Sequence, residues 1–440
     1  MTIGGILTRK RDGAELTADE IQFFIRGLVD GRVPDYQAAA WLMAVFLRGM
    51  SRRETHDLTV AMRDSGETID LSDLPVHPTL DKHSTGGVGD KTTLVVVPIL
   101  AAAGVPVLKM SGRGLGHSGG TIDKLEAIPG FRTEWSVDDA KAQVRRIGAA
   151  LIGQSAALAP ADKILYGLRD VTATIESLPL IASSIMSKKL AAGADRILLD
   201  VKAGSGAFMK TRERAEELAR LLIGLGSDAG VKTIAMLSPM DEPLGRAVGN
   251  ALEVEEAVSL LTAPGEAEPV FAGFCRALAA HGLMAAGKAN TEAEAAAEAD
   301  RLLANGEAAR KFAQISEAQG GPTSCDAILA SLPRAPLTHS VPAPRAGTIT
   351  AMDAEQIGRL VMTMGAGREA KSDSIDPTVG IVLHMKVGAK AAEGATLGTL
   401  HLRATDAHRA EEFAAMLQAA CSVDATPNAA PRPFWITVID

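Results

Sequence analysis

Three short apolar runs, VPVLKM (105 to 110), RILLDVK (196 to 202) and VKTIAML (231 to 237), are separated by stretches of helical period such as Glu213 to Asp228. Runs this short, with little polar alternation, have to be covered on both faces. The alternation therefore predicts an α/β fold whose mainly parallel sheet lies under helices. Before it, residues 1–67 read as a small all-α domain of three helices. Thr17 with Glu20 and Ser51 with Glu54 form capping boxes ahead of IQFFIRGLVDG and THDLTVAMRDSG, and PDYQAAAWLMAVFLRGM lies between them. IDLSDLPVHP, from Ile69 to Pro78, carries two prolines and no helical period and reads as a linker. The large α/β domain is expected over residues 74–332, with its last helical stretch from Thr291 to Ala313. A second linker follows at SLPRAPLTHSVPAPRAG, and GTITAMD, VGIVLHMKVG and ATLGTLHLR predict strands of a C-terminal α+β unit over 343–440.

That last unit has the Gly-bounded turns of a biotinyl or lipoyl carrier hairpin, but Ala351-Met352-Asp353-Ala354 offers no lysine at a tip. A structural or dimer-supporting role is expected instead. At 440 residues the chain is too long for one ordinary core. No segment offers about 18 uninterrupted apolar residues, the length of a membrane span. In MTIGGILTRKRDGAELT the charges follow the apolar run, the wrong order for a signal peptide, so a cytoplasmic location is expected. Cys275, Cys325 and Cys421 are far apart and lack a CxxC spacing, which fits buried hydrophobes better than disulfides or a zinc site. Lys and Arg total 45 against 53 Asp and Glu with no long basic run, so nucleic acid is not an expected partner; a local pocket for a small anion is.

Two segments supply such a pocket. DKHSTGGVGDK (81 to 91) and SGRGLGHSGGT (111 to 121) concentrate glycines, hydroxyls and lysines. Glycine lets backbone N–H groups approach an anion closely, and hydroxyls add donors. A Walker A loop would need Gly before Lys91, where Asp90 stands. Gly114, Gly116 and Gly119 do spell G-x-G-x-x-G after a strand, with Glu134 at the distance of a ribose-binding acid. A nicotinamide-dependent dehydrogenase is thus the rival reading, although it leaves the first loop unexplained. A third segment, LRDVTATIESLPLIASSIMSKK (168 to 189), places Ser184 and Lys188 four residues apart on one helix face, with Arg169 upstream. Such a face suits a planar ligand edged with carbonyl oxygens, as a pyrimidine is. Taken singly, Lys82 reads as a solvated charge, Ser84 and Thr121 as caps, and Arg169 with Asp170 as a surface ion pair.

Taken together, KHSTGGVGD, KMSGRGLGHSGGT with DKLE after Ile122, LRDVTAT and KAGSGAFMK resemble, in this order, the thymidine phosphorylase and pyrimidine-nucleoside phosphorylase family. The likeness runs over nearly the whole chain. It implies reversible attack of phosphate on the anomeric carbon of a pyrimidine nucleoside, in nucleoside salvage, with inorganic phosphate as co-substrate, no other cofactor and no metal. It implies a helical domain facing the α/β domain across a cleft, with residues 162–192 folded back into the helical domain and homodimers formed through it. Phosphate would be held by Lys82, Ser84, Ser111 and Thr121 with the Gly86 to Gly89 amides. Arg169, Ser184 and Lys188 would bind the base, and His83 would give a proton to it. His117, in the second loop, is expected to be structural.

Two positions bear on subtype. Some members hold a monovalent cation behind the first loop; its carboxylate matches Glu256 and its carbonyls Gly89, Leu244 and Ala247, but Lys91 occupies its Thr position. An ammonium there would replace the cation. Lys109 is expected to contact a ribose 2′-hydroxyl, so that uridine is accepted beside thymidine and deoxyuridine. Anthranilate phosphoribosyltransferases share the domain plan and need magnesium on an acidic pair. Asp241-Glu242 is such a pair, yet before Pro243 it reads as a turn, and KHST and LRDVTAT fit the phosphorylases better. A non-enzymatic binding protein has no feature in its favour. Hinges are expected near Asp64 to Pro78 and Gln154 to Ala161.

Overall fold

The computed structural model describes all residues except Leu115, His117, Ala156, 370–372, 426–433 and Asp440. Four helices open the chain: α1 (Ile3–Arg11), α2 (Ala18–Val29), α3 (Asp35–Arg48) and α4 (Arg52–Arg63). Both expected capping boxes are formed, at α2 and α4. α1 was not expected, because IGGILTRKR carries two glycines and no box. Thr2 caps it, and it buries Ile6 and Lys10, whose ammonium is neutralised by Glu54 at 2.7 Å.

The middle of the chain runs β1 (Leu80–Ser84), α5 (Thr92–Ala102), β2 (Val107–Ser111), α6 (Thr121–Glu126), α7 (Val137–Ile147) and β3 (Ala149–Gly153). Then come α8 (Pro160–Val171), α9 (Leu178–Ala191), β4 (Arg196–Ala203), α10 (Arg212–Asp228) and β5 (Lys232–Pro239). β6 (Ala247–Val248) leads into α11 (Asn250–Thr262), α12 (Pro269–Ala285), α13 (Glu292–Ala304), α14 (Glu307–Ala318) and α15 (Cys325–Ser331). β1, β4 and β5 form the parallel sheet, Lys82 opposite Leu198 and Leu198 opposite Ile234; β2 and β3 pair in parallel beside it.

The C-terminal unit holds β7 (Leu337–Pro342), β8 (Gly347–Met352), α16 (Ala354–Val361), β9 (Gly380–Leu383), β10 (Lys390–Ala391), β11 (Thr396–Leu402), α17 (Ala410–Ala419) and β12 (Cys421–Asp424). Its two antiparallel sheets run β6-β9-β11-β7 and β10-β8-β12. β7 falls inside the expected second linker; it pairs with β11 from an edge, where its Pro342 removes no needed donor. A last strand, β13 (Thr437–Ile439), returns to close the central sheet antiparallel to β5. The three cysteines are buried and free.

One apolar core joins the α/β and C-terminal units, from Leu80 and Val96 to Ile349 and Leu400. A second lies in the bundle, where Phe24 and Trp41 stack at 4.7 Å, and it takes in Ala161 and Leu165 of α8 and Leu180 of α9. α9 buries Leu178, Ala182, Ile185 and Met186 against β4, β5 and α10 instead. It is thus shared by both bodies, which fixes Ser184 and Lys188 between them. The two connecting stretches run side by side, Glu67 N–H donating to Ala157 O at 2.9 Å.

Candidate active site

β1 ends in the first glycine loop, and alternation sends its side chains two ways. Asp81 accepts the α9 ammonium of Lys189 at 2.7 Å, and the Lys109 ammonium of β2 lies 3.8 Å from its other oxygen. Lys82 points the opposite way, fully buried, and donates to Thr92 Oγ1 at 2.6 Å, 3.9 Å from Asp200. The structure does not bring Lys82 to the cleft wall; its charge lies beneath the loop. Above it, Ser84, Asp90, Thr93, Ser111 and Thr121 line one cavity together with Lys109 and Lys189. Gly86 and Gly89 have φ of 90° and 73°, where a side chain would be strained. A Cβ on Gly120 would sit 2.0 Å from Gly114 N, so these two glycines let the ends of the second loop touch. Of the G-x-G-x-x-G glycines only Gly114 takes part in this closure, and the helix that follows, α6, is six residues long.

Asp123 ties the second loop down. It accepts from Gly114 N–H at 2.7 Å and from Arg368 of the C-terminal unit at 2.8 Å, while Gly116 N–H donates to Arg368 O at 2.9 Å. The C-terminal unit therefore does more than brace the fold. Its Arg368 reaches the wall of a second cavity, lined also by Arg169, Ser184, Lys188, Asp162 and Ile181. His83, Ser84, Gln154, Tyr166, Lys188 and Phe208 line both cavities, so the two are halves of one cleft.

Ser184 and Lys188 are placed as their spacing required: Lys188 Nζ donates to Ser184 Oγ at 3.1 Å. Arg169 is neither a surface charge nor free. It is 3% exposed and donates to the carbonyls of Thr174, Ile175 and Leu180, bracing the turn between α8 and α9. Lys109 lines the first cavity and not the second, its ammonium on Met110 O at 2.8 Å. Burial, then the charge of Lys189, push Lys109 well below the ordinary lysine value, against the pull of Asp81. His83 Nε2 is buried with no partner. Burial, then the charges of Lys189, Lys109, Lys188 and Lys82, hold the imidazole well below its usual value, so it is neutral at pH 7.

Behind the loop, Lys91 is fully buried and donates to Leu244 O at 2.7 Å and Ala247 O at 3.0 Å, and Glu256 lies at 2.6 Å. Burial alone would raise the Glu256 carboxyl, but Lys91 and the amides of Arg246 and Ala247 hold it below the usual range. Gly89 O is taken by the Lys91 backbone N–H. Asp241 and Glu242 are occupied: Asp241 accepts from Ser205 N–H, and Glu242 pairs with Lys386 at 3.2 Å. Thr93, Asp90, Lys189, Tyr166 and Asp162 escaped the sequence reading. Two signals were present: Thr93 falls in the first turn of α5, and Asp162, Tyr166 and Arg169 repeat at helical spacing. His117 lies outside the described residues.

A helical bundle joined to an α/β domain, with an anion cradle and a carbonyl-directed face across one cleft, defines a glycosyl-transferring enzyme. Residues 5–66 match the helical bundle domain and residues 76–309 the a/b domain of a glycosyl transferase family, and residues 348–424 match the pyrimidine nucleoside phosphorylase C-terminal domain. The chain is 52% identical over 401 residues to a pyrimidine-nucleoside phosphorylase of Bacillus subtilis, covering 91% of this chain and 92% of that one. A Geobacillus stearothermophilus enzyme of the same name is 46% identical over 435 residues, 99% of each. The chain belongs to the pyrimidine-nucleoside phosphorylase family and is a pentosyltransferase. Anthranilate phosphoribosyltransferase of Thermus thermophilus shares the fold at a TM-score of 0.58 and 22% identity, covering 71% of this chain and 99% of that one.

Proposed function

We propose that the enzyme catalyses reversible phosphorolysis of thymidine, deoxyuridine and uridine, yielding the free base and a pentose 1-phosphate. The observation that carries this reading is the split cleft, whose anion cradle and base face share His83, Ser84, Tyr166 and Lys188. An anomeric carbon between them has phosphate on one side and the departing base on the other. Phosphate needs no general base; it needs to be held in line. Ser84, Thr93, Ser111 and Thr121 contact it, while Lys82 and Lys109 supply charge from below and beside. As the base leaves, negative charge on its ring oxygens meets Arg169, Ser184 and Lys188. The arriving dianion offsets the four ammonium charges around His83, so the imidazole takes up a proton with phosphate and delivers it to the base.

Lys109 reaches a ribose 2′-hydroxyl only by leaving Met110 O, and uridine acceptance is the finer part of the proposal. The Lys91 ammonium does the work of a monovalent cation, so none is required. Ultraviolet-monitored release of thymine and uracil, with and without phosphate, in potassium and in choline buffers, tests all three parts. Phosphate-dependent release from both nucleosides in either buffer is expected. No release overturns phosphorolysis, silence with uridine alone overturns its acceptance, and a potassium requirement overturns the role of Lys91.

The assembly is a homodimer formed through the helical domain, acting on small molecules rather than nucleic acid, in the cytoplasm. Support comes from α3, which exposes Tyr36, Met43, Phe46 and Leu47, two of them by more than 70%, on a helix with no partner on that face among the described residues. Among those residues no helix is long and apolar enough to cross a membrane. Sedimentation of the parent at micromolar concentration should give a dimer, and Leu47→Glu should weaken it; a monomeric parent refutes the assembly.

A further inference from the structure

Asp162 has no part in the roles above. It lies in the first turn of α8, seven residues before Arg169 and on the same face, and is 4% exposed. Its Oδ2 accepts the Lys188 ammonium at 2.5 Å, and its Oδ1 is buried without a donor. The base cavity is lined by Arg113, Lys163, Arg169, Lys188 and Arg368, and Asp162 is the single carboxylate among its described lining residues. Titratable groups also face this region: the neutral His83 from β1, Lys109 from β2 and Lys189 from α9, both beside Asp81 of β1, and the Tyr166 phenol from α8. In that crowd of cations an ammonium without a counter-charge is driven to shed its proton or swing away.

We infer that Asp162 is a positioning residue of the base subsite: it holds Lys188 charged and aimed at the carbonyl edge of the base, and so makes the subsite read dioxopyrimidines. An ammonium only donates, so it accepts a partner with a carbonyl at ring position 4 and disfavours one with an amino group there. A neutral amine also accepts a hydrogen bond, and that distinction is blurred. The inference rests on the phosphorolysis reading and deepens it.

The test compares Asp162→Asn and Asp162→Glu with the parent, following nucleoside and phosphate kinetics from pH 6 to pH 10. In Asp162→Asn the nucleoside KM should rise about tenfold or more while the phosphate KM stays within about twofold. Removing the carboxylate leaves Lys188 among cations with no opposing charge at 2.5 Å, so the variant's kcat/KM for nucleoside should fall as pH rises, at a pH where the parent is still flat. Asp162→Glu should restore most of that plateau, and the preference for uridine over cytidine should narrow only in Asp162→Asn. Superimposable pH profiles, or an equal rise in both KM values, would overturn the inference. Calorimetric binding of inorganic phosphate reports whether each variant is folded. If Asp162→Asn is not, Asp162→Glu alone decides, since the inference requires its nucleoside KM to move without its phosphate KM. A parent that releases no base at all refutes phosphorolysis itself, an outcome separate from a parent that works and an Asp162 that does not matter.

Discussion

The two halves of the cleft handle charge in opposite ways. On the phosphate side, Lys82, Lys109, Lys189 and Lys202 are interleaved with Asp81, Asp90 and Asp200, and all seven are under 10% exposed. Four lysines face three carboxylates, with the Lys109 proton loosened by burial and by Lys189, so at most about one net positive charge meets a dianion, in a lattice fixed before any ligand arrives. On the base side one carboxylate, Asp162, faces several cations, and Lys188 keeps 22% of its side chain exposed. The first half is preorganised by burial, which strengthens each pair and makes each loss costly. In the second, Arg169, Ser184 and Asp162 are buried as well, and Lys188 is the group that keeps a side open to water. A dianion of fixed shape rewards the first design, and bases that come and go with their sugars reward the second.

Removing one cation from each side separates these designs. Lys202 is fully buried, 2.9 Å from Asp200, and rests over the Phe274 ring at 4.2 Å. Lys202→Met leaves Asp200 with Lys82 at 3.9 Å as its counter-charge, and unfolding by urea should show a loss of about 3–5 kcal/mol. Lys188→Met should cost less, about 1–2 kcal/mol, because Lys188 keeps 22% of its side chain in water and its pair with Asp162 is partly screened already. Similar losses for the two variants would show that the contrast between a sealed and an open half is wrong.

The same contrast explains what the sequence disclosed. Spacing alone placed Ser184 and Lys188 on one face, because a helix repeats locally. The capping boxes at Thr17 and Ser51 were legible for the same reason. β1 was not: LDKHS carries Asp, Lys and His on a buried parallel strand, where the strand rule expects apolar residues. Those side chains become tolerable through Lys189 and Lys109, which are far away in the chain, and through Thr92 of the next helix. The inward turn of Lys82 toward Asp200 and the place of Lys109 beside Asp81 likewise depend on long-range partners, whereas the carbonyls taken by Arg169 are close in the chain but lie in an irregular turn that no period predicts. By contrast, the match of Lys91 to Glu256, Leu244 and Ala247 came through family resemblance, and no periodicity could have supplied it. α1 and β13 were missed for want of any local signal beyond Thr2 and a three-residue strand.

A smaller effect probes the seam where the halves meet. His83 is neutral in the phosphate-free fold, its ordinary value depressed by burial and by four neighbouring lysines. An unfolded chain binds a proton there below about pH 6.5, whereas the folded one does not. Stability therefore falls as pH is lowered through that value, and above it His83 contributes no slope. The loss should reach about 1 kcal/mol between pH 6.5 and pH 5.5, within the limit of about 1.4 kcal/mol per pH unit for a single proton. Other histidines and carboxylates titrate in both proteins, so the informative quantity is the difference between the parent and His83→Gln, which should lack this component. Saturating phosphate should flatten the parent's extra slope, because a dianion beside the lysines lets the folded imidazole take its proton too. A parent and a His83→Gln variant that lose stability in parallel on acidification would place His83 outside the influence of the phosphate-side lysines, and the seam would then join the halves by shape alone.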